Sequence, residues 1–128
     1  MLKSITNFDK VAQFMKAMGQ DIPEKSALPD RKTIDLRLSL IEEECQELID
    51  AINAKDIIEV ADALCDLLYV TYGAGHAFGI HLDVGFNNVH ASNMSKLGED
   101  GKPIYRHDGK VLKGPKYFSP NIERSLTF

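Results

Sequence analysis

Apolar residues recur at three- and four-residue steps through most of the first hundred positions, the spacing of helices that bury one face. Between Ser4 and Met18 they are Ile5, Phe8, Val11, Met15 and Met18, with Ala12 and Phe14 beside them, and Gly19 ends the run. Residues 20–31, QDIPEKSALPDR, contain Pro23 and Pro29 and no period, which predicts a connecting loop able to cover a pocket. A second helix is expected to open near Asp30 to Thr33, both cap residues, and to run to about Ala54 on a stripe of Leu36, Leu40, Ile41, Leu48, Ile49 and Ile52. Asn53-Ala-Lys55 interrupts it. Asp56, with Glu59 three residues on, has the spacing of a capping box with an aspartate cap, and it opens a third helix to about Phe78, before Gly79. Leu64, Leu67, Leu68, Tyr69, Val70 and Tyr72 leave that helix little polar face, which predicts a central position covered by other helices or by a second subunit. Gly73 and Gly75 permit close helix approach, at a propensity cost of about 1 kcal/mol each.

A fourth helix is predicted from about Asp83 to Leu97, carrying Val84, Phe86, Val89, His90, Asn93 and Met94, with Asn93 and Lys96 in its last turn. The composition then shifts to GEDGKPIYRHDGKVLKGPKYFSP, whose two Asp-Gly pairs read as turns and a short hairpin. Ser119-Pro120 has the form of a cap followed by proline at the first helical position, opening a short terminal helix to about Ser125. The expected fold is all-α, a helical bundle of four main helices completed by oligomerisation. Residues 1–97 make the core, and 98–128 form an irregular basic tail of the same domain.

At 128 residues one domain is expected. No apolar run approaches the roughly 18 to 20 residues of a membrane span, and the start MLKSITNFDK lacks an apolar signal core. The expectation is therefore a cytoplasmic protein with no membrane partner. Cys45 and Cys65 lie in predicted helices without metal-type or redox-type pairing, and are expected to be buried, reduced packing residues. The net charge of -4 conceals a split. Residues 1–95 hold 8 Lys+Arg and 15 Asp+Glu, whereas residues 96–128 hold 7 and 4. An acidic body argues against a nucleic-acid groove and fits a metal with a small anionic ligand.

The acidity is concentrated in IEEECQELIDAINAKDIIEVADALCD, residues 41–66, with nine carboxylates against Lys55. Like charges three or four apart destabilise a helix by a few tenths of a kcal/mol per pair, and apolar surroundings raise that cost. Glu44 and Glu47 share one helix face, with Glu43 at its edge; Glu59, Asp62 and Asp66 form a line on the next helix. The short connection makes the two helices antiparallel and sets the acidic lines opposite each other. Such an all-oxygen cage selects hard divalent ions, Mg²⁺ first and Mn²⁺ second. Glu42 and Asp50 read as solvated. Asp62 and Asp66 do not, because aspartate is a poor helix former placed here in the greasiest helix.

The pattern EExxE at Glu43, Glu44 and Glu47, a short turn, then acidic residues leading into DLLYV, resembles the all-α nucleoside triphosphate pyrophosphohydrolases of the MazG superfamily, which includes phosphoribosyl-ATP pyrophosphohydrolases and dimeric dUTPases. DLLYVTYG, Gly79-Ile80, HASNMSK and the downstream DGK and LKGP extend the resemblance over roughly residues 34 to 120. It implies a Mg²⁺-dependent enzyme that cuts NTP to NMP and pyrophosphate, cleans the nucleotide pool, and assembles as a homodimer or homotetramer. The family's ExxE…ExxD can be placed two ways: Glu59-Val-Ala-Asp62 keeps the letters, whereas alignment on DLLYV makes Asp66 the aspartate and leaves Ala63 where glutamate is expected. The expected ligands are Glu44, Glu47, Asp62 and Asp66, with Glu59 as a further ligand or its support, and Glu43 as the base for the attacking water. Lys96, Lys110 and Lys113 are candidate phosphate contacts, and Asn93 a candidate for a base or sugar edge.

His76, His81, His90 and His107 show no metal spacing and read as structural or surface residues. Phe14, Met15, Met18 and Tyr72 fit a core better than a nucleobase slot. GEDGK and HDGK lack the strand and helix that flank phosphate-cradling loops. Two other classes compete: a carboxylate-bridged di-metal bundle, which wants a histidine three residues after Glu44 or Glu59 that is not there, and a non-catalytic helical dimerisation module.

Overall fold

The structure, a computed structural model, describes residues 4–128. It is all-α, with α1 (Asn7–Ala17), α2 (Arg31–Asn53), α3 (Ile57–Ala77) and α4 (Leu82–Met94), followed by a 3₁₀ turn at Ile122–Ser125. No strand occurs among the described residues, and Tyr105 and Val111 form an isolated antiparallel bridge. The chain folds as two compact units: His81–Leu126 forms one and the remainder the other.

In the larger unit, polar caps set where each helix starts. Thr6 accepts from the Asp9 N–H and Asp9 accepts from the Thr6 N–H, both at 3.1 Å, which closes a capping box on α1. Asp30 accepts from the Thr33 N–H at 2.9 Å and starts α2. Lys55, at φ 56°, turns the chain out of α2, and Asp56 accepts from the Ile58 and Glu59 N–H groups to start α3. The box expected there is only half formed, because the Asp56 N–H donates to the Ala51 carbonyl instead.

α3 packs against α1 and α2. The expected stripe of α1 buries Phe8, Val11 and Met15, which with Ala51, Ala63 and Ala77 make the core. His76 is buried and structural: its Nε2–H donates to the Phe8 carbonyl at 2.7 Å, and its ring stacks on Phe8 with centroids 3.7 Å apart. Residues 20–30 cross the C-terminal end of α3. The Ala27 N–H donates to the Phe78 carbonyl and the Ser26 hydroxyl to that of Gly79. Gly79 is left-handed at φ +69°, and a Cβ there would run into the Lys25 carbonyl, so only glycine fits beneath the loop.

Some packing expectations fail: Phe14 and Met18, expected in the core, are exposed. Cys45 and Cys65 are exposed free thiols rather than buried packing residues, because each lies on a helix face that this chain does not cover.

In the smaller unit, His81 caps α4, its Nδ1 accepting from the Val84 N–H at 3.4 Å. α4 ends at Met94, not Leu97, so Lys96 lies beyond the last turn. The reason is a tail segment that sequence did not place: the Ser92 hydroxyl donates to the Phe118 carbonyl and the Phe118 N–H donates to Ser95 Oγ. The terminal helix is a 3₁₀ turn that begins after Asn121, without a side-chain cap, rather than a helix opened by Pro120.

Candidate metal centre

α2 and α3 run antiparallel, and the buried alanines Ala51 and Ala63 let their backbones approach. Glu44 and Glu47 on α2 and Asp66 on α3 each place a carboxylate oxygen within 4.8 Å of the others. Glu44 is half-buried, and its Oε2 is sealed from solvent with no hydrogen-bond partner. Desolvation pushes its carboxyl up to about 7, helped by the hydrogen bond and charge of Glu47 and by the charges of Asp66 and Glu43. Asp66 is raised in the same direction, by burial first and then by the charges of Asp62 and Glu47 and a hydrogen bond with Asp62. Among the described residues, no basic side chain forms an ion pair with the cluster.

Such a cluster is satisfied by protons or by a cation. Its donors are all carboxylate oxygens, one of them buried and unpartnered, and that set fits a hard divalent ion.

Of the residues singled out by sequence, Glu44, Glu47 and Asp66 meet directly, and Asp62 touches Asp66. Glu59 lies farther along the same face, where it and Asp62 line a cavity of about 480 Å³ with Glu47 and Asp50. Glu43 is exposed beside Glu44. In the smaller unit, Lys113 Nζ sits 4.7 Å from the Tyr117 ring centroid. The Tyr117 phenol is lowered from its usual value, chiefly by hydrogen bonds to Ser92 and Ser119 and also by the charges of Lys113 and Lys96. Lys96 and Lys113 therefore gather about one phenol, whereas Asn93 and Lys110 are exposed, Lys110 beside the Asp108 turn.

Two residues escaped the sequence reading. Tyr117 sits within LKGPKYF, where an aromatic among lysines was a usable signal. Arg37 is a cation inside the apolar stripe of α2, and it is 93% buried, 7% exposed.

The fold and site define an all-α protein whose antiparallel helix pair carries facing carboxylates. Residues 11–93, from α1 into α4, match the family model described as phosphoribosyl-ATP pyrophosphohydrolase, and the chain belongs to that family. The superfamily resemblance drawn from EExxE and DLLYV therefore holds. An uncharacterised protein, L479, of Acanthamoeba polyphaga mimivirus is 35% identical over 112 residues, which cover 84% of this chain. The chain spans 42% of the length of that relative. A solved structure from Exiguobacterium sp. 255-15, named "putative NTP pyrophosphohydrolase", is similar at 24% identity and a TM-score of 0.48, over 92% of this chain and 90% of that one.

Proposed function

We propose that the protein is a Mg²⁺-dependent nucleoside triphosphate pyrophosphohydrolase that converts (d)NTP to (d)NMP and pyrophosphate, a cytoplasmic house-cleaning activity. The observation that carries this reading is the convergence of Glu44, Glu47 and Asp66 within 4.8 Å, with one buried oxygen left unpartnered. Family membership supplies the reaction class.

In this reading Glu44, Glu47, Asp62 and Asp66 hold the ion, and Glu59 supports it from the adjoining cavity. The contact between Asp62 and Asp66 favours that pair over Glu59 and Asp62 as the ligands from α3. Mg²⁺, or Mn²⁺ in its place, supplies Lewis-acid polarisation and charge neutralisation at the phosphates. Glu43 orients the attacking water and takes its proton. The water oxygen bonds to the α-phosphorus as the α–β anhydride bond breaks, and pyrophosphate leaves with the electron pair. Lys96, Lys113 and Lys110 bind phosphate oxygens, and Asn93 bonds a base or sugar edge.

Assembly as a homodimer or homotetramer fits the amount of apolar surface on the helix pair. Ile49, Ile52, Leu64 and Leu68 are all about half exposed in the single chain, apolar surface that a second copy would take out of water.

The test is a panel of standard and modified NTPs and dNTPs incubated with the purified protein and Mg²⁺. Pyrophosphate and the monophosphate should appear in equal amounts. Orthophosphate alone, or no turnover on any nucleotide, defeats the proposal.

A further inference from the structure

A second uncompensated charge lies on the same α2–α3 pair, and its sign is opposite. Arg37 is seven residues before Glu44, and Gly73, which it faces, is seven after Asp66. At 1.5 Å of rise per residue the two levels are about 10 Å apart along each helix. One terminal nitrogen, NH1, packs so closely on Gly73 that a Cβ there would lie 2.6 Å from it. The other, NH2, donates to Gln20 Oε1 at 3.1 Å. Nε is sealed from solvent and has no acceptor.

Among the described residues, no carboxylate forms an ion pair with this charge; the ion pairs are Arg31–Asp35 and Arg106–Asp108. Asp21 and Asp30 share the rim of the adjoining cavity, yet Asp30 is engaged with the Thr33 N–H that starts α2. Burial lowers the pKa of the guanidinium. A sealed cation of this kind is costly unless an anion joins it.

Beside Arg37 is a cavity of about 600 Å³, walled by Ile22, Pro23, Pro29, Leu36 and Ala77 along with Gln20. Its volume lies in the range of small-molecule pockets, and half of its lining is apolar, with Thr33, Asp21 and Asp30 completing the polar half beside Arg37 and Gln20. The guanidinium fork and the Gln20 amide lie side by side there, and a planar fork matches the two oxygens of a phosphate or carboxylate.

We infer that the cavity between the residue 20–30 loop and the Arg37–Gly73 level of the helix pair is an anion-binding site that takes a phosphate-class oxyanion on Arg37 and Gln20. The apolar walls take the organic body to which the oxyanion is attached. The site is distinct from the carboxylate cluster and does not rest on the hydrolytic reading.

The test uses the full-length, ¹⁵N-labelled protein in EDTA, so that the carboxylate cluster contributes no metal. The Arg37 Nε–H resonance is followed while inorganic phosphate or adenosine monophosphate is added, with sodium chloride at matched ionic strength as the control. A saturable shift of that resonance is expected, with no shift in chloride. A shift with phosphate alone identifies a free anion as sufficient; a shift only with the monophosphate shows that the organic body is required. By calorimetry, Arg37→Lys and Gln20→Ala should each weaken the same binding, Arg37→Lys by roughly tenfold or more. An Arg37 Nε–H resonance unmoved at saturating concentrations of both probes overturns the inference, as does unchanged affinity in both variants. The wild-type titration decides the matter even if a variant fails to fold.

Discussion

Two levels of one helix pair, about 10 Å apart, carry opposite problems. At the first, Glu44, Glu47 and Asp66 crowd negative charge with no ion-paired basic side chain among the described residues. At the second, Arg37 buries positive charge with no ion-pair partner among the described residues. Had stability alone shaped the pair, moving one charge by two turns would have joined them in an ion pair. On the readings proposed above, that separation leaves the acidic level to a cation and the basic level to an oxyanion.

The largest expected effect tests the acidic level. Asp66→Asn should lower Mg²⁺-dependent pyrophosphate release by roughly a hundredfold or more, since a lost ligand costs at least what a lost supporting residue does. In EDTA the same variant should melt higher than the wild type, because one of the mutually repelling charges is gone. Unchanged activity and an unchanged melting response to Mg²⁺ would instead favour a non-catalytic helical module.

The basic level is tested by a double-mutant cycle between Gly73 and Arg37. Gly73→Ala alone should destabilise the protein by about 1 to 3 kcal/mol, the usual effect of overpacking, since the new Cβ meets the guanidinium at 2.6 Å. In an Arg37→Met background the same change should stabilise by up to about 1 kcal/mol, which is the helix propensity of alanine over glycine. Chemical denaturation of the four proteins reads the sign reversal; additivity would mean that the contact carries no energy.

pH separates the two levels further. The Glu44 carboxyl is raised from its ordinary 4.5 to about 7, so the folded metal-free protein holds a proton that the unfolded chain has released. Its contribution to stability is complete below about 4.5 and is lost as pH rises through about 7. Melting temperature in EDTA should therefore fall across that window, whereas apparent Mg²⁺ affinity should rise across it as the competing proton leaves. Glu44→Gln should flatten both trends. The smallest effect is local: Asp56→Ala removes the cap of α3 and should cost about 1 kcal/mol in denaturation.

Much of this arrangement was legible from sequence for a simple reason. A period of 3.6 residues and short polar caps are local properties, so Asp30 and Asp56 mark the starts of α2 and α3 where the structure has them, whereas α1, expected from about Ser4, opens at Asn7 after a Thr6 cap that the period did not reveal. The facing of Glu44 with Asp66 followed from one short connection between two periodic helices. Arg37 was missed because its environment is assembled from Gln20 in a loop and Gly73 in another helix, neither of which is near it in sequence. The cysteines were misjudged for a related reason: helical period says which residues share a face, but not whether anything covers that face.

The sequence by itself thus determined the all-α class, the hairpin and the line of carboxylates, since spacing along a helix dictates which side chains share a side. Tertiary structure alone decided which oxygens converge, how far the Glu44 carboxyl is pushed up, where the tail stops α4, and that Arg37 is sealed without an ion-pair partner among the described residues. Those outcomes depend on distance and on exclusion of water between segments far apart in the chain, and no local pattern encodes either.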